Sequence, residues 1–217
     1  MTKAPVVIFG GTFDPIHIGH LRTAIELGDW LQVPEVRLVP SGDPVHRVGT
    51  QASAQQRLAM VSLATEYDDC LVADDIEVNS ESASYTVVTL EKIRQKVGPS
   101  RPVVLVMGMD AFMHLTSWHR WQELFGLAHL LVVARPGYSP EMNSELKEEV
   151  GPRVTEFKDE LKLTPSGSVV FHQLTPLGVS ATQIRSLIVK GQNPRFLLPE
   201  SVWEFIKLEK LYGFKEG

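Results

Sequence analysis

The chain has 217 residues, 43% of them hydrophobic and 22% charged, which are globular proportions that exclude a disordered or collagen-like polymer. Its formal net charge of −5 provides no global field to draw it to nucleic acid or anionic lipid, so neither partner is expected. Cys70 is the only cysteine, which excludes an intrachain disulfide, and beside Leu71 it reads as a small core residue.

In chain order, residues 6–9 form a first short apolar run suited to a buried strand. A glycine-rich turn follows, then a helix over 20–31 with Leu21, Ala24, Ile25, Gly28 and Leu31 on one stripe. A second strand is predicted over 36–39. Ser53 followed by Gln56 forms a capping box for a helix reaching about Tyr67. Strands at 71–73, 103–107, 130–134 and 169–171 alternate with helices after Tyr85, across 118–125, over 181–189 and over 200–211, with Gly191 and Gly213 placed to end the last two. The stretch 136–165, charged and without a strong strand signal, is predicted to leave the core.

The strand runs are near-continuous in apolar residues, as parallel strands covered on both faces require. Alternation with helices then gives one domain spanning 1–217: an open, mostly parallel, doubly wound Rossmann-like sheet with helices on both faces. Such sheets bind ligands beyond the carboxyl ends of their strands. The longest apolar runs fall far short of the ~20 residues that span a bilayer. The first fifteen residues reach glycine and charge too soon for a secretory signal, and a cytoplasmic location is expected.

The sharpest chemical feature is the segment Gly10-Gly11-Thr12-Phe13-Asp14-Pro15-Ile16-His17-Ile18-Gly19-His20, directly between the first strand and the first helix. Gly10 and Gly11 let the backbone approach a ligand, Asp14-Pro15 turns the chain, and Gly19 leaves room at the helix start, where amides face an anion. His17 and His20, three apart, can reach one ligand, which suits a phosphate chain. The order of glycines is not that of a dinucleotide fingerprint, and no Gly-Lys-Ser/Thr loop occurs. Near the other end, Ser180 can cap a helix while Thr182 and Arg185 supply donors to outer phosphates.

His17-Ile18-Gly19-His20 resembles the His-x-Gly-His signature of the nucleotidyltransferase superfamily, and Val179-Ser180-Ala181-Thr182-Gln183-Ile184-Arg185 resembles its Ile-Ser-x-Thr-x-x-Arg element. Within that superfamily the likeness is to bacterial nicotinate-nucleotide adenylyltransferases, along essentially the whole chain. It is carried by Pro44-Val45-His46-Arg47, Ser84-Tyr85-Thr86, Gly108-Met109-Asp110, Trp118 and Arg135-Pro136. Val45 and His119 depart from the family's usual proline and tyrosine.

The resemblance implies adenylyl transfer from ATP to nicotinate mononucleotide, giving nicotinate adenine dinucleotide and pyrophosphate. It implies His17, His20, Arg47 and Arg185 as the catalytic groups. Gly10, Gly11, Thr12, Phe13, Gly19, Gly108, Asp110, Ser180 and Thr182 join the histidines and Arg185 around ATP, and the helical region 180–217 completes that site. Thr12, His46, Arg47, Tyr85, Thr86, Trp118, His119 and Arg135 are implied for the nicotinate nucleotide. Trp118 offers its face to the pyridine ring, and amides near Thr86 and His119 meet the carboxylate. Mg2+ is expected to be held mainly by ATP phosphates and water. A phosphopantetheine adenylyltransferase, a cytidylyltransferase and a nucleotide sensor without turnover remain open, as does homo-oligomerisation.

Overall fold

The computed structural model describes residues 4–42, 50–80, 84–134, 142–175 and 177–216. Its strands are β1 (Val6–Gly11), β2 (Val36–Pro40), β3 (Leu71–Ala73), β4 (Val103–Gly108), β5 (His129–Ala134) and β6 (Val169–Gln173). The helices are α1 (Ile18–Leu31), α2 (Ala54–Thr65), α3 (Thr86–Val97), α4 (Met109–Met113), α5 (Leu124–Leu127), α6 (Ser144–Val150), α7 (Glu160–Leu163), α8 (Ala181–Val189) and α9 (Glu200–Leu208). Among the described residues every strand pairing is parallel, in the order β3-β2-β1-β4-β5-β6.

The pleat divides the apolar runs between two core layers. Val7, Phe9, Val104 and Val106 point to the layer that includes Ala24 and Leu27 of α1, Met60 of α2, Ile184 of α8 and Ile206 of α9. Val6, Ile8, Val103, Leu105 and Met107 point to the opposite layer with Leu90 of α3, Phe112 of α4 and Leu124 of α5. Strands covered on both faces have no polar face, which is why their sequence does not alternate.

The strand order reverses direction between β1 and β4, so their carboxyl ends splay apart and leave a crevice there. Gly10 and Gly11 pair with Val39 and Pro40 at the end of β1, while Gly108 pairs with Val133 at the end of β4.

The capping box of α2 forms as expected, Ser53 accepting from the Gln56 amide while the Gln56 side chain accepts from Ser53. Gly191 takes φ of 68°, the left-handed conformation that a helix-ending glycine permits. The last helix stops at Leu208, short of the expected Leu211, because Lys210 turns left-handed (φ 51°), and Gly213 (φ 72°) lies beyond its end. Three further expectations are corrected. Residues 118–125 do not make one helix, because Arg120 is left-handed (φ 53°) and splits the segment into short turns before α5. The stretch after residue 141 does not leave the core: Leu146, Val150 and Leu161 are fully buried, and Val154 bridges to Val169. Cys70 is exposed rather than core, since it lies in the turn before β3, its amide donating to Asp68 Oδ1.

Candidate active site

The turn after β1 is shaped by its own side chains. Phe13 adopts φ 48° and is only 2% exposed; its ring meets Phe9 edge-on at 5.9 Å and His20 edge-on at 5.0 Å. A Cβ on Gly11 would stand 2.8 Å from the Phe13 ring, so this position has to be glycine for the turn to close. At Gly10 an added Cβ would meet nothing within 4 Å, and that side of the strand end stays open.

His17 is the N-cap of α1 in extended conformation, and no side chain caps that helix. His20 lies one turn on, and the two imidazoles stack with centroids 3.7 Å apart and planes inclined by 21°. Nδ1 of each ring is buried without a hydrogen-bond partner. Burial lowers the His17 pKa from 6.5 to about 4, and burial plus the His17 charge hold His20 well below the ordinary range. Both rings are therefore neutral at pH 7 and can each present one N–H to an anion without charge repulsion between them.

These rings open onto a cleft of about 780 Å³ at the β1/β4 crevice, whose lining includes His17, Gly19, His20, Gly108, Asp110 and Ser180. Asp110 is exposed in the first turn of α4, at the mouth. Leu174, Thr175 and residues 177–181 also line the cleft and lead into α8, where Ser180 Oγ accepts from the Gln183 amide. The amino ends of α1 and α8 thus meet at one cleft, both with the positive end of a helix dipole. Arg185, one turn into α8, donates from Nη1 to the Asp14 carbonyl at 2.6 Å and from Nη2 to Thr182 Oγ1 at 3.3 Å. A smaller cavity of about 340 Å³ lies at the other end of α8, between Ile188, Trp203 and Phe214, remote from the paired histidines.

Other expected residues are not in the lining of this cleft. Tyr85 is the N-cap of α3, Thr86 its first residue, and the Tyr85 ring lies 4.4 Å from that of His119. Trp118 is half-buried against the same core layer as Tyr85. Thr12 gives its carbonyl to Arg57. His46, Arg47 and Arg135 lie outside the described residues.

Sequence reasoning misses the groups that hold the turn in place. Asp14 is 6% exposed, and its carboxylate accepts from the Gln51 amide (2.9 Å), the Ala52 amide (3.2 Å) and the Tyr212 hydroxyl (2.7 Å). Arg57 is fully buried and donates to the carbonyls of Thr12 and Gly42 at 2.8 and 2.9 Å. A signal for Arg57 does exist: it occupies the same face of α2 as buried Met60, Val61 and Thr65, where a cation belongs only if the fold supplies acceptors. No local pattern marks Tyr212, whose partner is 198 residues away.

The cytidylyltransferase-like family model matches residues 8–187. A probable nicotinate-nucleotide adenylyltransferase of Hahella chejuensis is 48% identical over 211 residues, covering 97% of this chain and 96% of its own. A protein of the same name in Aeromonas hydrophila is 43% identical, covering 98% and 99%. Among solved structures, Plasmodium falciparum nicotinic acid mononucleotide adenylyltransferase complexed with NaAD superposes with a TM-score of 0.74 over 98% of this chain and 99% of that one. Its sequence identity is 15%, so this likeness concerns the fold.

Proposed function

Because the chain belongs to the cytidylyltransferase-like family, we propose that it transfers the adenylyl group of ATP to nicotinate mononucleotide, forming nicotinate adenine dinucleotide and pyrophosphate in NAD biosynthesis. The observation that carries the reading is the stacked, neutral His17/His20 pair where the amino ends of α1 and α8 converge on one cleft.

A phosphate oxygen of the mononucleotide forms a bond to the α-phosphorus of ATP, and the bond from that phosphorus to the bridging oxygen breaks, its electron pair leaving on pyrophosphate. The nucleophile is already ionised, so no general base is required. The protein's contribution is in-line placement of two anions and stabilisation of charge as it moves to the leaving group. His17 and His20 donate to the phosphates, and the α8 amino end with Thr182 and Arg185 meets the outer ones, so region 180–217 completes the ATP site. Gly10, Gly11 and Gly19 keep backbone close to the nucleotide, Thr12 and Phe13 shape the turn, and Gly108 and Asp110 face the ribose. Stacking on Trp118 and amides near Thr86 and His119 select the nicotinate ring, because amides satisfy a carboxylate but not a carboxamide NH2. His46, Arg47 and Arg135 are assigned to the mononucleotide by their motifs alone.

Among the described residues no group of three or more His, Cys, Asp or Glu side chains is placed to hold a metal. The cleft's donors are N–H groups suited to phosphate oxygens, a set that fits Mg2+ entering as the ATP complex and retaining phosphate and water ligands. Bound in that way, the ion would neutralise triphosphate charge. A cytoplasmic location goes with this proposed reaction; among the described residues no helix is long and apolar enough to cross a membrane.

The test is pyrophosphate release with Mg·ATP and, in parallel, nicotinate mononucleotide, nicotinamide mononucleotide or phosphopantetheine. Preference for the first supports the reading. Turnover with another acceptor alone replaces the acceptor assignment, and ATP binding without turnover on any of them overturns the activity.

A further inference from the structure

The turn that follows α9 is unusual in its backbone. Lys210, Tyr212 and Gly213 have φ of 51°, 55° and 72°, so left-handed conformations crowd into four residues, two of them non-glycine. Residues of this kind persist where surrounding structure over-determines them, and such strain concentrates at functional sites. Here the conformation delivers one group. Tyr212, 5% exposed, reaches inward so that its hydroxyl donates to Asp14 Oδ1 at 2.7 Å. The carbonyl of the same Asp14 accepts Arg185 Nη1, and Asp14 lies three residues before His17.

We infer that Tyr212 is a positioning residue for the adenylyl transfer, fixing the Asp14 turn so that Arg185 and the histidine pair address the phosphates together. The inference rests on the functional reading above. Geometry supports the direction of the tether. The Asp14 carboxylate is also held just before α2, by the Gln51 amide at Oδ2 and the Ala52 amide at Oδ1, so the tyrosine ties the turn to the start of that helix. Residues Leu211–Gly213 also lie against α8 itself, Gly213 sharing a cavity wall with Val189. One segment therefore holds Asp14 and lies against the helix that carries its partner Arg185. Burial and the neighbouring Asp14 charge raise the phenol pKa, which keeps the hydroxyl a donor at any working pH.

The decisive experiment is a kinetic double-mutant cycle on the full chain with Tyr212→Phe and Arg185→Lys. Tyr212→Phe keeps the ring in its buried place and removes only the donor. It is expected to lower kcat about tenfold with KM values within about twofold, because displacement of catalytic groups by a fraction of an ångström costs rate rather than ground-state binding. In the Arg185→Lys background the same change is expected to cost less than about twofold, since coupled groups are non-additive. A purely structural tyrosine would lower Tm and leave kcat of the folded protein unchanged, or would give multiplicative effects in the cycle; either result overturns the inference. If Tyr212→Phe does not fold, Gly213→Ala strains the same turn with no atom closer than ordinary contact, and it must show the same loss of kcat and the same coupling to Arg185. The cycle is run with whichever acceptor the wild type turns over. A wrong acceptor assignment is then seen in the wild type, and a wrong role for Tyr212 is seen only in the cycle.

Discussion

Replacing Arg57 by Met tests the account of the turn after β1 most directly. The side chain is fully buried and donates to the carbonyls of Thr12 at 2.8 Å and Gly42 at 2.9 Å, with a third bond to Ser41 Oγ at 3.2 Å. Methionine matches its length and its fitness for a helix, so α2 itself is undisturbed. The loss comes from the acceptors left behind. Two charge-assisted bonds to carbonyls are worth about 1.5–3 kcal/mol each, and the desolvation cost of the guanidinium, which the mutant no longer bears, returns part of that. The Arg57 charge also acts on Glu77, whose carboxyl burial already pushes up, and removing the cation raises it further. The net expectation is a destabilisation of about 3 kcal/mol, a large share of the ~5–15 kcal/mol typical of a folded chain. For a chain of this size that lowers Tm by about 6–12 °C, read by circular dichroism or calorimetry, with the urea m-value unchanged. A fall below about 2 °C at unchanged m would refute the view that Arg57 joins the ends of β1 and β2.

His20→Ala should lower kcat about 100-fold or more while the melt stays cooperative, as loss of a transition-state donor requires, and near-normal turnover in folded protein would remove His20 from the mechanism. Trp118→Ala should raise KM for nicotinate mononucleotide with KM for ATP nearly unchanged; equal losses for both would make Trp118 a packing residue. For His17 the folded pKa of about 4 lies below the unfolded 6.5, so between these values the unfolded chain binds more protons and stability declines as pH falls. Complete expression of that difference is about 3 kcal/mol, and a histidine titrating near 6.5 by NMR at this position would contradict it. Gly42→Ala should destabilise by about 1–3 kcal/mol in a denaturant melt, because the new Cβ would run into Ser84 Oγ and stand 2.8 Å from the Glu77 carbonyl. An unchanged midpoint would show that this packing gives way.

Local chemistry makes the strands, the ends of several helices and the two motif loops legible in the amino-acid sequence. A buried parallel strand announces itself by an unbroken apolar run, as at 103–107, and a capping box by two residues three apart, as at Ser53 and Gln56. The glycine turn with His17 and His20 is equally readable, because closeness in sequence guarantees closeness in space across one helical turn. Residues 118–125 defeat the same reasoning: their helical periodicity is real, yet Arg120 turns left-handed where its side chain pairs with Glu91 and Glu123. Cys70 is misread by that logic because apolar neighbours do not say where a strand begins.

What only the tertiary structure decided is how the two ends of the chain are joined. The burial that keeps both imidazoles neutral, the buried Arg57 beneath the turn, and the tether from Tyr212 to Asp14 each depend on segments far apart in sequence. The amino-acid sequence names these residues, but a hydrogen bond or a lowered pKa is a property of distance and of excluded water. Those are set when the doubly wound sheet brings the amino ends of α1 and α8 to one crevice.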